Sequence, residues 1–181
     1  MSNGNQNNDI VLPHLCSDFF LWMCFLSQRD ESVFEFELPN SEATMPVAFW
    51  IDDRISFRSP AEEQTRTVVT GESIFQTHEA YAALQSGKVI QDLRVFLRVY
   101  EREYVMTLKA PYLDISSLKF PEHESDGDVA VILERMLFYN EVMMALEAIY
   151  QFFVELRTTD EWDSLGSYIR SWVHSEGGKE E

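Results

Sequence analysis

The apolar run from Val129 to Leu156, VAVILERMLFYNEVMMALEAIYQFFVEL, constrains this chain more than any other stretch. It holds no proline or glycine and is rich in Leu, Met, Ala and Glu, all of which favour helix. Ile132, Met136, Tyr139, Met143, Leu146, Ile149 or Tyr150, and Phe153 recur at helical spacing and mark one face. Leu133, Leu137, Met144 and Phe152 lie off that stripe. A helix that is apolar on more than one side has to be covered on more than one side. One cover is a sheet from the same chain. The other is either the flanking helices or a second subunit, so Leu133, Leu137, Met144 and Phe152 are the candidate homodimer interface.

The sheet is legible upstream. Val33 to Leu38, VFEFEL, alternates apolar and acidic residues, as a strand with one wet face does. Val47 to Ile51 and Arg54 to Phe57 are two short β-rich runs, and the intervening Asp52-Asp53 predicts a tight hairpin. Arg66 to Thr70 is a further strand, and Glu72 or Ser73 opens a short helix that runs to Leu84 and stops at Ser86-Gly87. Val89 to Tyr100 is the clearest strand. Leu93, Val95, Leu97 and Val99 point one way, and Arg94, Phe96, Arg98 and Tyr100 the other. Tyr104 to Leu108 returns antiparallel to it, and Pro111 to Phe120 reads as a connection. A buried aromatic helix over Leu15 to Ser27 precedes the strands, and a last helix, Glu161 to His174, follows the long one. The expected class is α+β, an antiparallel sheet covered on one face by the long C-terminal helix and flanking helices. Residues 10–175 form a single domain in this reading, with a disordered segment at 1–9 and a flexible acidic tail at 176–181.

Charge narrows the partners. With 31 acidic against 14 basic residues the net charge is −17, which disfavours indiscriminate adhesion to DNA or anionic membrane. The acid is uneven, however. Bases roughly balance acids between Arg54 and Lys119, and acids dominate beyond it, as at Glu122, Glu124, Asp126 and Asp128. A solvated acidic surface, a nucleic-acid mimic and a dock for a basic protein all fit that pattern. Cys16 and Cys24 lie two turns apart in an apolar segment, the setting of buried thiols. The start is polar without a signal-peptide pattern, and charges interrupt the longest apolar run, so the expected location is cytoplasmic with no membrane partner.

No P-loop, dinucleotide fingerprint, zinc pattern or nucleophile elbow is present, and the reading implies no cofactor, no metal and no enzyme. Asp52-Asp53 is better explained as a turn than as a metal pair. The residues with most chemical content are basic. Arg94, Arg98 and Arg102 form a row on one face of the hairpin, with Lys88 and Lys109 nearby and Phe96 and Tyr100 between them. Basic residues interleaved with aromatics suit a phosphate backbone and its bases. The same arginines can instead pair with acids or lie over helix side chains.

From Glu72 to about Phe153 the chain resembles the C-terminal part of the RdgC family of recombination-associated proteins. The resemblance is carried by Ser86-Gly87-Lys88-Val89-Ile90, the strand Leu93 to Val99 with its return ending near Leu108, and Leu118-Lys119-Phe120. An acidic spacer follows, then a helical run with Arg135 and Met143-Met144-Ala145-Leu146. It covers somewhat under half of the chain. It implies a non-enzymatic DNA-binding protein that forms ring-shaped homodimers, with Lys88 and Lys119 in matching phrases and Arg94, Arg98 and Arg102 close by. Against this, a charge of −17 opposes tight duplex binding, which needs a dense array of Lys and Arg.

Overall fold

Alternation decides which side of the sheet is dry. On the central strand the side chains of Leu93, Val95, Leu97 and Val99 are buried, whereas Arg94, Phe96 and Arg98 between them are not. Period-two burial of this kind packs one face and leaves the other open. The computed structural model describes residues 12–38, 42–60, 66–71 and 74–176. The ends expected to be flexible, 1–9 and most of 176–181, lie outside them, Glu176 being the last residue of the final helix.

In chain order the elements are α1 (Leu12–Gln28), β1 (Val33–Glu37), β2 (Thr44–Arg58), β3 (Arg66–Thr70), a 3-10 turn (Ile74–Gln76), α2 (His78–Gln85), β4 (Val89–Val99), β5 (Arg102–Lys109), β6 (Asp114–Lys119), α3 (Asp128–Arg157) and α4 (Glu161–Glu176). The sheet runs β1-β2-β4-β5-β6, and every pairing is antiparallel. β3 pairs with the second half of β2, so β1 and β3 share one edge of that long strand. The helices cover one face. The protein is α+β, an antiparallel sheet under a long C-terminal helix and its flanking helices, as the alternation predicts.

The core between sheet and helices is aromatic. Phe153 of α3 is fully buried with its ring 5.2 Å from Phe19, 5.3 Å from Trp22 and 5.4 Å from Trp162. It therefore joins α1, α3 and α4 at one point. Trp22 reaches on to Phe49 of β2, which carries the contact into the sheet. Aromatic pairs at these separations add to the gain from burial itself. Among the described residues no helix is long and apolar enough to cross a membrane. α1, the most apolar, spends its aromatics on this core.

Three expectations need correction. The Asp52-Asp53 hairpin does not form, and Thr44–Arg58 is one strand. β4 pairs with it on both sides of the aspartates, at Ile51 opposite Val95 and Ile55 opposite Leu93. A partner for the backbone on either side satisfies groups that a turn would have left open, and the two extra residues form a bulge. Second, 114–119 is a strand. Asp114, Ser116 and Ser117 are poor strand formers, but the free edge of β5 supplies ladder partners at Thr107, Leu108 and Lys109. Third, the buried stripe of α3 is Phe138, Val142, Ala145, Ile149 and Phe153. Ile132, Met136, Tyr139 and Met143, expected to face the sheet, are exposed. A helix with apolar residues on nearly every side offers periodicity little contrast, and the small Ala145 and Val142 let the helix approach the sheet there. The short helix likewise begins later than expected, at His78 after the 3-10 turn, while 72–73 lie outside the described residues.

Removing the ring that joins the three helices tests this core. Phe153→Ala should lower unfolding free energy by about 3 to 5 kcal/mol, read as a shift of the urea midpoint at unchanged slope.

Candidate nucleic-acid interface

Three irregularities in the ladder surround one spot on the open face. In β2 the bulge at 52–54 brings Arg54 beside the register of Leu93. In β4 the pairing slips between Ser56 opposite Asp92 and Phe57 opposite Ile90, which leaves Gln91 as an extra residue and changes which parity faces inward. In β6 the pairing slips between Val105 and Thr107, and Ser117 sits at a φ of 54°. A bulge re-aims side chains that regular alternation would send to the other face. Here the single extra residues re-aim Gln91 and Ser117 onto the lining of a shallow dish of about 660 Å³, where Arg54, whose two-residue bulge preserves alternation, also lies.

Strand register supplies the rest. Residues opposite one another in an antiparallel pair share a face, and Arg54, Ser56 and Arg58 stand opposite Thr70, Val68 and Arg66. Arg94 stands opposite Thr107, which stands opposite Ser116, and Asp92 stands opposite Lys109. Among the described residues five cationic side chains, Arg54, Arg58, Arg66, Arg94 and Lys109, thus line the dish, with Asp92 as the one carboxylate of that lining. Ser56 Oγ donates to Asp92 Oδ2 at 2.6 Å, and Arg66 Nη2 donates to the same oxygen at 2.5 Å. Asp92 thereby holds Arg66 of the edge strand over the dish. Arg94 pairs with Asp52 at 2.8 Å and reaches Asp53 at 3.6 Å, so the two aspartates expected to make a turn serve as its counter-ions. Arg54 and Lys109 are exposed, and no carboxylate among the described residues pairs with either.

Next to the dish, Trp50 and Phe96 meet edge to face at 6.0 Å on the same surface. The Arg98 guanidinium lies 4.7 Å from the centre of the Trp50 ring and 3.6 Å from Glu103. Lys119, opposite Val105, belongs to this face as well. Of the six basic residues singled out in the sequence, then, Arg94 and Lys109 line the dish, and Arg98 and Lys119 stand on the surface beside it. The other two do not join them. Lys88 Nζ donates to Thr67 Oγ1 at 2.7 Å, beside the far edge of β3. Arg102 stands opposite Val99, a core position, and turns to the helices. It pairs with Glu141 of α3 and lies over the Phe138 ring. The expected open row Arg94–Arg98–Arg102 is therefore three arginines each engaged by a carboxylate, the third on the opposite side of the sheet.

Arg54, Arg58 and Arg66 were missed. Arg54-Ile55-Ser56-Phe57-Arg58 sets its arginines four apart with Ser56 between them and apolar Ile55 and Phe57 alternating, the signal of a strand with one polar, cationic face. Splitting β2 into a hairpin hid it. The candidate dimer residues also separate. Leu133 and Leu137 are exposed beside an acidic linker, Met144 is exposed, and Phe152 packs 5.4 Å from Phe34 and 6.2 Å from Trp22. Cys16 and Cys24 are both buried thiols, and burial pushes Cys16 up to about 11. Among the described residues no group of three His, Cys, Asp or Glu side chains is placed to hold a metal ion. No family model matches this chain, and no curated protein or solved structure matches it.

The left-handed backbone at Ser117 is testable. A β-branched residue there is strained and glycine is not. Ser117→Val should lower stability by about 1 to 2 kcal/mol, whereas Ser117→Gly should leave the thermal midpoint level or raise it.

Proposed function

We propose that this protein binds nucleic acid through the open face of its sheet, as a non-enzymatic, RdgC-like, recombination-associated protein of the cytoplasm. The observation that supports the reading best is the dish that, among the described residues, gathers five cations around one carboxylate in a molecule whose net charge is −17. So local a concentration of positive charge, on strands bulged toward one spot, suits a group with several acceptor oxygens in a small volume. Guanidinium groups fork onto phosphate oxygens in pairs, and the Ser116 and Thr107 hydroxyls add neutral donors. Trp50 and Phe96 beside the dish offer ring surface to a base, once Arg98 exchanges its half-exposed contact with Glu103 for a phosphate. In this reading the protein acts by occupying nucleic acid, with no covalent step and no cofactor.

The reading includes a homodimer. We place its contact on the α3 stripe Ile132, Met136, Tyr139 and Met143, which with Phe120, Arg135 and Asn140 lines an apolar groove with no carboxylate among its described residues. Two copies of so acidic a molecule meet with least repulsion where neither presents acid.

Two measurements test these statements. Labelled duplex and single-stranded DNA are titrated at several salt concentrations. Arg54→Glu with Lys109→Glu should abolish binding, Asp92→Asn should tighten it, and Arg170→Glu on α4 should leave it unchanged. Each dish cation removed singly should lower the salt slope by about one. Absence of binding at low salt would refute the nucleic-acid reading. Sedimentation at micromolar concentration should give a dimer that Met136→Glu converts to monomer.

A further inference from the structure

The first half of α3 carries a second surface, on the other side of the sheet from the dish. From Val129 to Leu137 no side chain of the helix is buried, and Leu133 and Leu137 are 56% and 69% exposed. They form the floor of a groove with Phe120, Phe138 and Ala130. One wall is the linker after β6. Glu124 N–H and Ser125 N–H donate to the two carboxylate oxygens of Glu134 at 3.0 and 3.1 Å, which fastens the linker along the helix. Those N–H groups hold the Glu134 carboxyl below its usual range. The other wall is the β4–β5 turn. The groove encloses about 1560 Å³.

Its rim is acidic. Glu101, Glu103, Glu122, Glu124, Glu134 and Glu141 line it, and the one cation among the described residues of its lining, Arg102, is already engaged by Glu141. Glu141 also accepts from Tyr104 Oη at 3.0 Å through Oε2, while its buried Oε1 has no donor among the described residues. An apolar floor between carboxylate walls selects an occupant with apolar anchors on one side and positive charge at its flanks. We infer that this groove docks a basic amphipathic helix from a partner protein, with its apolar face on Leu133 and Leu137 and its Lys or Arg residues toward the linker and the β4–β5 turn. A helix laid in a groove is a common recognition mode, and the pinned linker makes the site ready before binding.

A second copy of this chain fits poorly. Groove against groove would set the same carboxylates face to face across a twofold axis. The basic dish has charge of the right sign but is concave and polar, so it cannot fill an apolar floor. This inference stands apart from the nucleic-acid reading, because the lining of the dish and that of the groove share no residue.

The probe is a fluorescein-labelled helical peptide of Leu and Lys, amphipathic by design, titrated into the full chain and followed by anisotropy. Leu133→Ser with Leu137→Ser, and separately Glu122→Lys with Glu124→Lys, should each raise its Kd at least about tenfold. Arg54→Glu with Lys109→Glu should leave it unchanged, which separates this outcome from any result with DNA. All these positions are exposed, and circular dichroism with a thermal melt confirms that each variant is folded. The linker pair reports even if the leucine pair does not fold. The inference is overturned if neither groove variant weakens binding, or if a scrambled Leu/Lys peptide of equal charge binds as well. It is also overturned if the free chain sediments as a dimer that Leu133→Ser with Leu137→Ser dissociates, since a second copy would then hold the groove.

Discussion

Everything in this structure hangs on the aromatic contact at Phe153. Its ring touches α1 through Phe19 and Trp22 and α4 through Trp162, and Trp22 passes the contact to Phe49 in the sheet. The second half of α3 is thereby committed to the core. The first half, from Val129 to Leu137, is left outside it and keeps its apolar residues in contact with water. Because the helices stack on one face, no element among the described residues covers the opposite face of the sheet. Two exposed surfaces of different chemistry thus follow from one packing arrangement.

The two surfaces are opposite in sign. On the open face, bulges in β2, β4 and β6 gather Arg54, Arg58, Arg66, Arg94 and Lys109 around Asp92. On the helical side, Glu101, Glu122, Glu124, Glu134 and Glu141 surround Leu133 and Leu137, and Glu103 reaches the same groove from the start of β5. A net charge of −17 describes neither. Net charge governs solubility and long-range encounter, while a site is governed by the charges within roughly a Debye length, about 8 to 10 Å at physiological salt. A molecule this acidic can therefore present a cationic dish, and the surrounding acid favours ligands that insert closely over those that lie loosely along the surface.

Arg102 shows how a small topological fact redirects a side chain. It precedes Glu103 by one residue, and that single step in a strand moves it to the other face. Arg98, opposite Glu103, stays on the open side, whereas Arg102, opposite Val99, meets Glu141 and Phe138 of α3. There it joins Tyr104 in a cluster beneath the acidic groove, and burial first, then the Glu141 carboxylate, push the Tyr104 phenol well up. Mutating it would disturb the helical side of the molecule, so it is a poor probe of the open face.

What the amino-acid sequence determined by itself is the kind of fold. Alternation from Leu93 to Val99 and the unbroken apolar run after Val129 dictate a one-sided sheet under a long helix, because periods of two and of three to four leave their mark in the order of residues. That Arg94 and Lys109 share a face was decided by the structure, where the turn is the two residues Tyr100-Glu101 and not the three, 101–103, that the local residues suggest. Tertiary structure alone decided that Asp52-Asp53 would be a bulge and 114–119 a strand, because both depend on a neighbouring strand with hydrogen bonds to offer. It alone chose Phe138, Val142 and Ala145 as the buried stripe of a helix apolar nearly all round. And it alone brought Arg54, Arg58 and Arg66 to Arg94 and Lys109, since register between strands distant in the chain is set by the packed core and is written in no local pattern.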